Sequence, residues 1–166
     1  MGVFGRGQRG ISTVGWAVRG AAAGAAGTTA LDAVTYLDMA VRGRGASSTP
    51  EQTVEKLAEK AHLPISGEGD TRQHRLQGLG ALTGIAAGVG VGVLAGLGRA
   101  AGFRPPAWLG AAATGLLAMI GANGPMTGLG ITDPRTWSAT DWLSDVVPHV
   151  AYGLVTHSTL VGLDRP

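Results

Sequence analysis

Residues Leu76–Gly98 read LQGLGALTGIAAGVGVGVLAGLG, a run without a charge in which Gly80, Gly84, Gly88, Gly92 and Gly96 recur at every fourth position. Such a run is long and apolar enough for a helix to cross the roughly 30 Å hydrocarbon core of a bilayer. Spacing by four places the five glycines on one helical face. A face without side chains lets a second helix approach backbone to backbone. In water the same row destabilises a helix, each Gly costing about 0.8–1.0 kcal/mol relative to Ala. The stretch therefore predicts a glycine-zipper membrane helix.

Three further apolar segments surround it. The first, about 15–41, carries Gly20, Gly24 and Thr28 at four-residue spacing, with Asp32 next in the row. The third, about 106–123, follows Pro105-Pro106, and proline suits a helix start because the first turn needs no donor there. It is expected to end near Asn123-Gly124-Pro125, slightly short of a full span, with residues 126–131 continuing as a broken or re-entrant piece. The fourth, about 145–163, is uncharged between Asp145 and Asp164. The reading is all-α: one membrane domain of four transmembrane helices in a compact bundle. Trp16, Trp108, Trp137 and Trp142 fall near the predicted span starts, where indole rings prefer the headgroup level.

The connection Arg42–Arg75 is the long loop. Within it Thr49-Pro50-Glu51-Gln52 reads as a capping box with proline at the first helical position, which predicts a short amphipathic helix over about 50–62. Val54, Leu57, Ala58 and Ala61 make its apolar face, expected to lie on the membrane surface or the end of the bundle; a partner-binding helix is the sharper alternative. The short Arg99–Arg104 connection predicts an antiparallel hairpin of the second and third spans.

Composition supports a bilayer. Only 14% of the 166 residues are charged, against roughly 25% in soluble domains. The net charge of +2 does not suggest a nucleic-acid partner, and the basic residues lie beside the apolar runs, as membrane anchors do. Gly5–Gly10 and Arg42–Gly45 accordingly read as basic flanks rather than RNA-binding tails. Without cysteine there is no disulfide, thiolate zinc site or cysteine nucleophile. Arg6 and Arg9 ahead of an Ala-rich stretch imitate a secretory signal, but Arg19 interrupts it and helical character continues to Val41, so a retained first span is the simpler account. The basic residues divide almost evenly between the two sides. The flank of the first span and the Arg-bounded turn favour both termini in the cytoplasm. Abundant Gly, Ala and Arg point to a high-GC bacterial genome.

The densest polar set is in the fourth segment, where Asp141, Asp145, His149, Tyr152 and Thr156 step by four, four, three and four, with His157 beside them. Carboxylates and imidazoles in lipid are costly and usually face a bundle interior, where they mark proton or ion paths. Asp145 and His149, one turn apart, are placed to share a proton. The plainer account is a helix cap at Asp145 and a packing hydrogen bond from His149. A metal site is not expected, because one helix underfills a zinc shell. If the helix begins instead at Ser138, Ser138 and Asp141 form the cap and Pro148 becomes an interior kink that frees the Ser144 carbonyl. Asp32 needs a partner from another helix, which His149, His157 or Asn123 could supply. Asp38 pairs with Arg42 four residues on. Gly5-x-Gly7-x-x-Gly10 and Gly90-x-Gly92-x-x-Ala95 match a dinucleotide fingerprint by letter only, since neither follows a strand. No nucleophile elbow, P-loop or zinc-protease motif occurs, so neither an enzyme nor a cofactor is expected.

Pro125-x-x-Gly128-Leu129, followed by Ser144-Asp145-x-x-x-His149-x-x-Tyr152, resembles the small bacterial inner-membrane proteins of the YagU type. The likeness covers about the last fifty residues, and the glycine-zipper helix is not a feature of that family. It implies a multi-pass inner-membrane protein with a cytoplasmic N-terminus, no established activity, and a link to acid tolerance by name only. It adds weight to Asp145, His149 and Tyr152. Three functional readings follow: a proton or small-ion relay or sensor along the Asp/His stripe; a structural or assembly protein whose glycine face, including Gly20 and Gly24, meets an oligomer partner or another membrane protein; and a pore former of the holin type.

Overall fold

The computed structural model describes residues 11–164. The Gly5–Gly10 motif, Arg6, Arg9 and Arg165 lie outside them. Five α-helices form: α1 (Thr13–Arg42), α2 (Thr49–Lys60), α3 (Gly69–Ala100), α4 (Ala107–Gly128) and α5 (Ala139–Asp164), with a single 3-10 turn at Pro134–Thr136 before α5. The long helices run up, down, up and down. α1 packs on both α3 and α5, α5 packs also on α4, and α3 closes the ring more loosely against α4.

The helix starts and stops follow local chemistry. Ser12 caps α1, its Oγ accepting from Gly15 N at 3.1 Å, and Gly43 ends it at φ +63°, a left-handed conformation that glycine adopts without steric cost. Three sequence-based bounds change. α3 begins at Gly69, ahead of Leu76, because Arg72 and Arg75 are held outside the apolar stretch: Arg72 Nη2 donates to Glu55 Oε1 at 2.6 Å and Arg75 Nη1 to Ser66 O at 2.7 Å. α4 runs through Pro125 to Gly128 instead of breaking near Asn123. A proline in the last turns frees only one carbonyl, that of Gly121, and the helix continues around it. α5 begins at Ala139, not Asp145, behind a reciprocal cap in which Asp141 N donates to Ser138 Oγ at 3.2 Å and Ser138 N to Asp141 Oδ2 at 2.9 Å. In α2 the cap lies one residue earlier than the expected Thr49 box: Ser48 is the N-cap, and Gln52 Nε2 donates to its Oγ at 2.9 Å.

Burial is inverted relative to a water-soluble bundle. Gly20, Ala23, Gly24, Gly27, Gly92 and Gly96 are buried, whereas Leu82, Leu94, Leu116, Ile120 and Leu154 are each more than half exposed. An outward surface of large aliphatics suits lipid. Three helices, α3, α4 and α5, are long and apolar enough to cross a membrane. α1 is not among them, which departs from the expectation of four: its Ala, Gly and Thr are weakly apolar and Arg19 and Asp32 dilute them further.

The glycine row of α3 divides. Gly88, Gly92 and Gly96 meet α1: a Cβ on Gly92 would stand 2.5 Å from Gly24 Cα, one on Gly24 2.6 Å from the Gly88 carbonyl oxygen, and one on Gly96 2.9 Å from Gly20 Cα. Gly80 instead abuts the start of α2 at Pro50, and Gly84 has no neighbour within 4 Å of a Cβ. Trp16 is buried with Ala23 and Leu160; Trp108 is exposed, and Trp137 and Trp142 stack edge to face at 5.0 Å.

Candidate functional site: a polar seam along α5

The Ser138–Asp141 cap sets the phase of α5, so Asp145, His149, Tyr152 and Thr156 follow on one stripe. Pro148 is an interior, buried residue of this helix. Ser144 Oγ donates to Thr140 O at 2.8 Å and accepts from Arg42 Nη2 at 2.5 Å, while Arg42 also bonds Asp38. The end of α1 is thereby tied to the start of α5, and Asp145 sits one residue inside that boundary.

Asp145 and His149 form a compact cluster with Asn123 of α4. Asn123 Nδ2 donates to Asp145 Oδ2 at 2.8 Å. His149 Nδ1 lies 2.7 Å from the Asp145 carbonyl oxygen and 3.5 Å from its Oδ1. A carbonyl can only accept, so Nδ1 carries the hydrogen and Nε2 is left as the proton-binding position of the neutral ring. The two side chains retain 20% and 11% exposure. Protonation at Nε2 would create an imidazolium against a carboxylate whose other oxygen is already held by an amide.

The seam closes at the next step. Tyr152 and Thr156 are fully buried, and Tyr152 Oη donates to the Gly88 carbonyl at 2.6 Å, linking α5 to α3. Gly27 lets α1 approach both side chains. Across the α4–α5 contact, a Cβ on Gly115 would fall 2.6 Å from the His149 carbonyl oxygen, and one on Gly153 2.7 Å from Gly115 N. His157 faces α4, its ring seated on Gly110, and among the described residues its buried Nε2 has no hydrogen-bond partner, nor does Thr156 Oγ1.

Of the polar residues singled out from sequence, Asn123, Asp145 and His149 come together. Tyr152 and His157 point to other neighbours. Asp32 is half-buried in α1 and makes no hydrogen bond or ion pair among the described residues, so the cluster's partner comes from α4, not α1. No group of three metal-ligating side chains occurs among the described residues. Sequence reasoning passed over the opposite end, where Arg99 Nη1 and Arg104 Nε both donate to Asp164 Oδ2, at 3.0 and 3.2 Å. The available signal was an acid closing an apolar run opposite an Arg-bounded turn. No family model, curated protein or solved structure matches the chain.

Proposed function

We propose that the protein is a non-enzymatic, multi-pass bacterial inner-membrane protein that takes up and releases a proton at Asp145 and His149. The observation that carries this reading is the Asn123–Asp145–His149 cluster, a carboxylate and an imidazole 3.5 Å apart in a helix apolar enough to span a bilayer. Groups of this kind within spans are costly and are retained for function. Proton sensing fits better than passage through the bundle, because the Tyr152 hydroxyl is committed to the Gly88 carbonyl and backbone-to-backbone contacts flank it. The partial likeness of Pro125–Leu129 and Ser144–Tyr152 to YagU-type proteins agrees with this setting.

In this reading α1 is the fourth span. It is 30 residues long, about 45 Å at the helical rise, and meets α3 from Trp16 to Thr28. The termini are placed in the cytoplasm. Cysteine introduced at Ser66 then reacts with a membrane-impermeant reagent in intact cells, and cysteine at Ser12 does not. Reaction at both sites removes α1 as a span, and the reverse pattern inverts the orientation.

The sensing role is tested in nanodiscs by thermal unfolding between about pH 5 and pH 8, the interval in which histidine changes charge. Wild-type stability should change across it, and His149→Gln, which keeps hydrogen-bonding capacity without titrating, should be flat. An unchanged pH response in His149→Gln removes the proposal. The second reading, a structural or assembly protein, is favoured by Gly84, whose open position in the glycine-zipper row leaves room for a helix from another chain; it predicts an oligomer disrupted by Gly84→Leu.

A further inference from the structure

The charges at the two ends of the bundle are balanced differently. At the α2 end most cations meet an anion: Arg42 and Arg44 share Asp38, Lys56 meets Glu59, Arg72 meets Glu55 and Arg135 meets Asp133, while Arg75 donates to Ser66 and Lys60 has no ion pair among the described residues. At the other end the described residues include three arginines, Arg19, Arg99 and Arg104, and one carboxylate, Asp164. Asp164 serves Arg99, which is only 7% exposed, and Arg104. Arg19 receives nothing from it, and its Nη1 is buried with no hydrogen-bond partner among the described residues.

The cations are positioned by an aromatic ring. The Arg19 guanidinium lies 5.5 Å from the centroid of Trp16 and that of Arg104 lies 5.9 Å from the same ring. Trp16 is itself locked in the core by Ala23 and Leu160, so the ring is a fixed platform. Stacking on an indole holds a guanidinium without consuming its N–H donors. Two forks therefore share one platform with donors to spare, an arrangement matched to a phosphate, which accepts two or more charge-assisted hydrogen bonds. Phe103 and Trp108, on the adjoining turn and first turn of α4, are 62% and 72% exposed. Exposed aromatics beside a cationic site place it at headgroup depth, with Leu109 beyond them to meet acyl chain.

We propose that Arg19 and Arg104, seated on Trp16, bind the phosphate of an anionic phospholipid headgroup. Arg99 remains fixed to Asp164. The site rests on the membrane reading above but is independent of the Asp145–His149 cluster at the opposite end.

The test uses the full chain reconstituted with phosphatidylcholine alone or with added phosphatidylglycerol. Co-flotation with phosphatidylcholine vesicles reports membrane insertion by itself, so failure there overturns the membrane reading and the site with it. Given insertion, native mass spectrometry from detergent should show phosphatidylglycerol retained in preference to phosphatidylcholine. Arg19→Gln/Arg104→Gln should lower that preference about thirtyfold, since each Arg near an anionic surface contributes roughly fivefold. Arg42→Gln/Arg44→Gln should leave it intact. Equal retention by the first double variant, or equal loss in the second, overturns the proposal. Inorganic phosphate at millimolar concentration should not displace the lipid; full displacement identifies a free-anion site and overturns the assignment to lipid. A second readout does not depend on the variants' folding at the arginine end. With Trp108, Trp137 and Trp142 changed to Phe, Trp16 fluorescence should be quenched more by brominated phosphatidylglycerol than by brominated phosphatidylcholine, and equal quenching refutes the site.

Discussion

Replacing Gly92 by alanine tests whether backbone contact between α1 and α3 holds the bundle. The added Cβ would run into the Gly20 carbonyl oxygen and stand 2.5 Å from Gly24 Cα and 2.6 Å from Gly24 N, against 3.4 Å for the near edge of ordinary contact. All three obstacles are backbone, so no side chain can rotate away, and the helices must part by about 1 Å there. A gap of roughly 0.5–1 Å forfeits a quarter to a half of each dispersion contact it opens, and overpacking a close-packed interior typically costs about 1–3 kcal/mol. The higher helix propensity of alanine returns up to about 1 kcal/mol. The net expectation is a loss of about 1–2 kcal/mol. Gly84→Ala, eight residues earlier in the same row, is the matched control: nothing lies within 4 Å of its Cβ, so only the propensity gain remains. For a chain of this size the two variants should straddle wild type, Gly92→Ala about 2–8 °C lower in Tm and Gly84→Ala unchanged or slightly higher. Thermal unfolding followed by circular dichroism in one detergent gives the comparison. Equal melting temperatures for the two variants refute the argument that backbone proximity at Gly92, and not its membership of the row, decides the effect.

Other substitutions probe the seam and its supports. Tyr152→Phe removes the hydrogen bond to the Gly88 carbonyl while preserving the ring, and should cost about 0.5–1.5 kcal/mol; an unchanged melting temperature would show the bond contributes nothing. Asn123→Leu strips the amide from Asp145 Oδ2 and should destabilise by about 1–3 kcal/mol near neutral pH, with Asp145→Asn in the same chain recovering part of the loss; no coupling in that double-mutant cycle would separate the two residues. Ser138→Ala breaks one arm of the α5 cap, with an expected cost of about 0.5–2 kcal/mol and faster amide exchange at the first turn of α5; exchange confined to the C-terminal end of α5 would contradict it. At Asp133 the Arg135 guanidinium holds the carboxyl below its ordinary value of 3.8, so the turn before α5 is supported above that pH and loosens as pH falls through the lowered value. Arg135→Gln should return the Asp133 titration toward 3.8 in a carboxyl-detected NMR experiment; an unmoved midpoint refutes the pairing.

The all-helical class and the apolar runs of α3, α4 and α5 are legible in the chain, because length, apolarity and the scarcity of charge act locally and need no knowledge of neighbours. The Ser138–Asp141 cap is legible for the same reason, although Asp145 competes with it as a start signal and only the formed turn decides between them. The bounds that moved, at Gly69 and Gly128, were set by interactions outside the local pattern: Glu55 and Ser66 hold Arg72 and Arg75 in an extended helix, and Pro125 falls too near the end of α4 to break it. Partner choice was wholly tertiary. One row of glycines looks uniform from Gly80 to Gly96, yet Gly84 meets nothing, Gly80 meets α2, and Gly92 meets Gly24, because contact depends on where a neighbouring axis passes. In the same way periodicity puts Asp145 and His149 on one stripe, while the antiparallel pairing of α4 with α5 brings Asn123 to them and leaves Asp32 on another helix, without a bond among the described residues. A sequence determines which face of a helix is small, apolar or charged, since that follows from the fixed turn of the helix; which faces meet is decided by the packing of all the helices together.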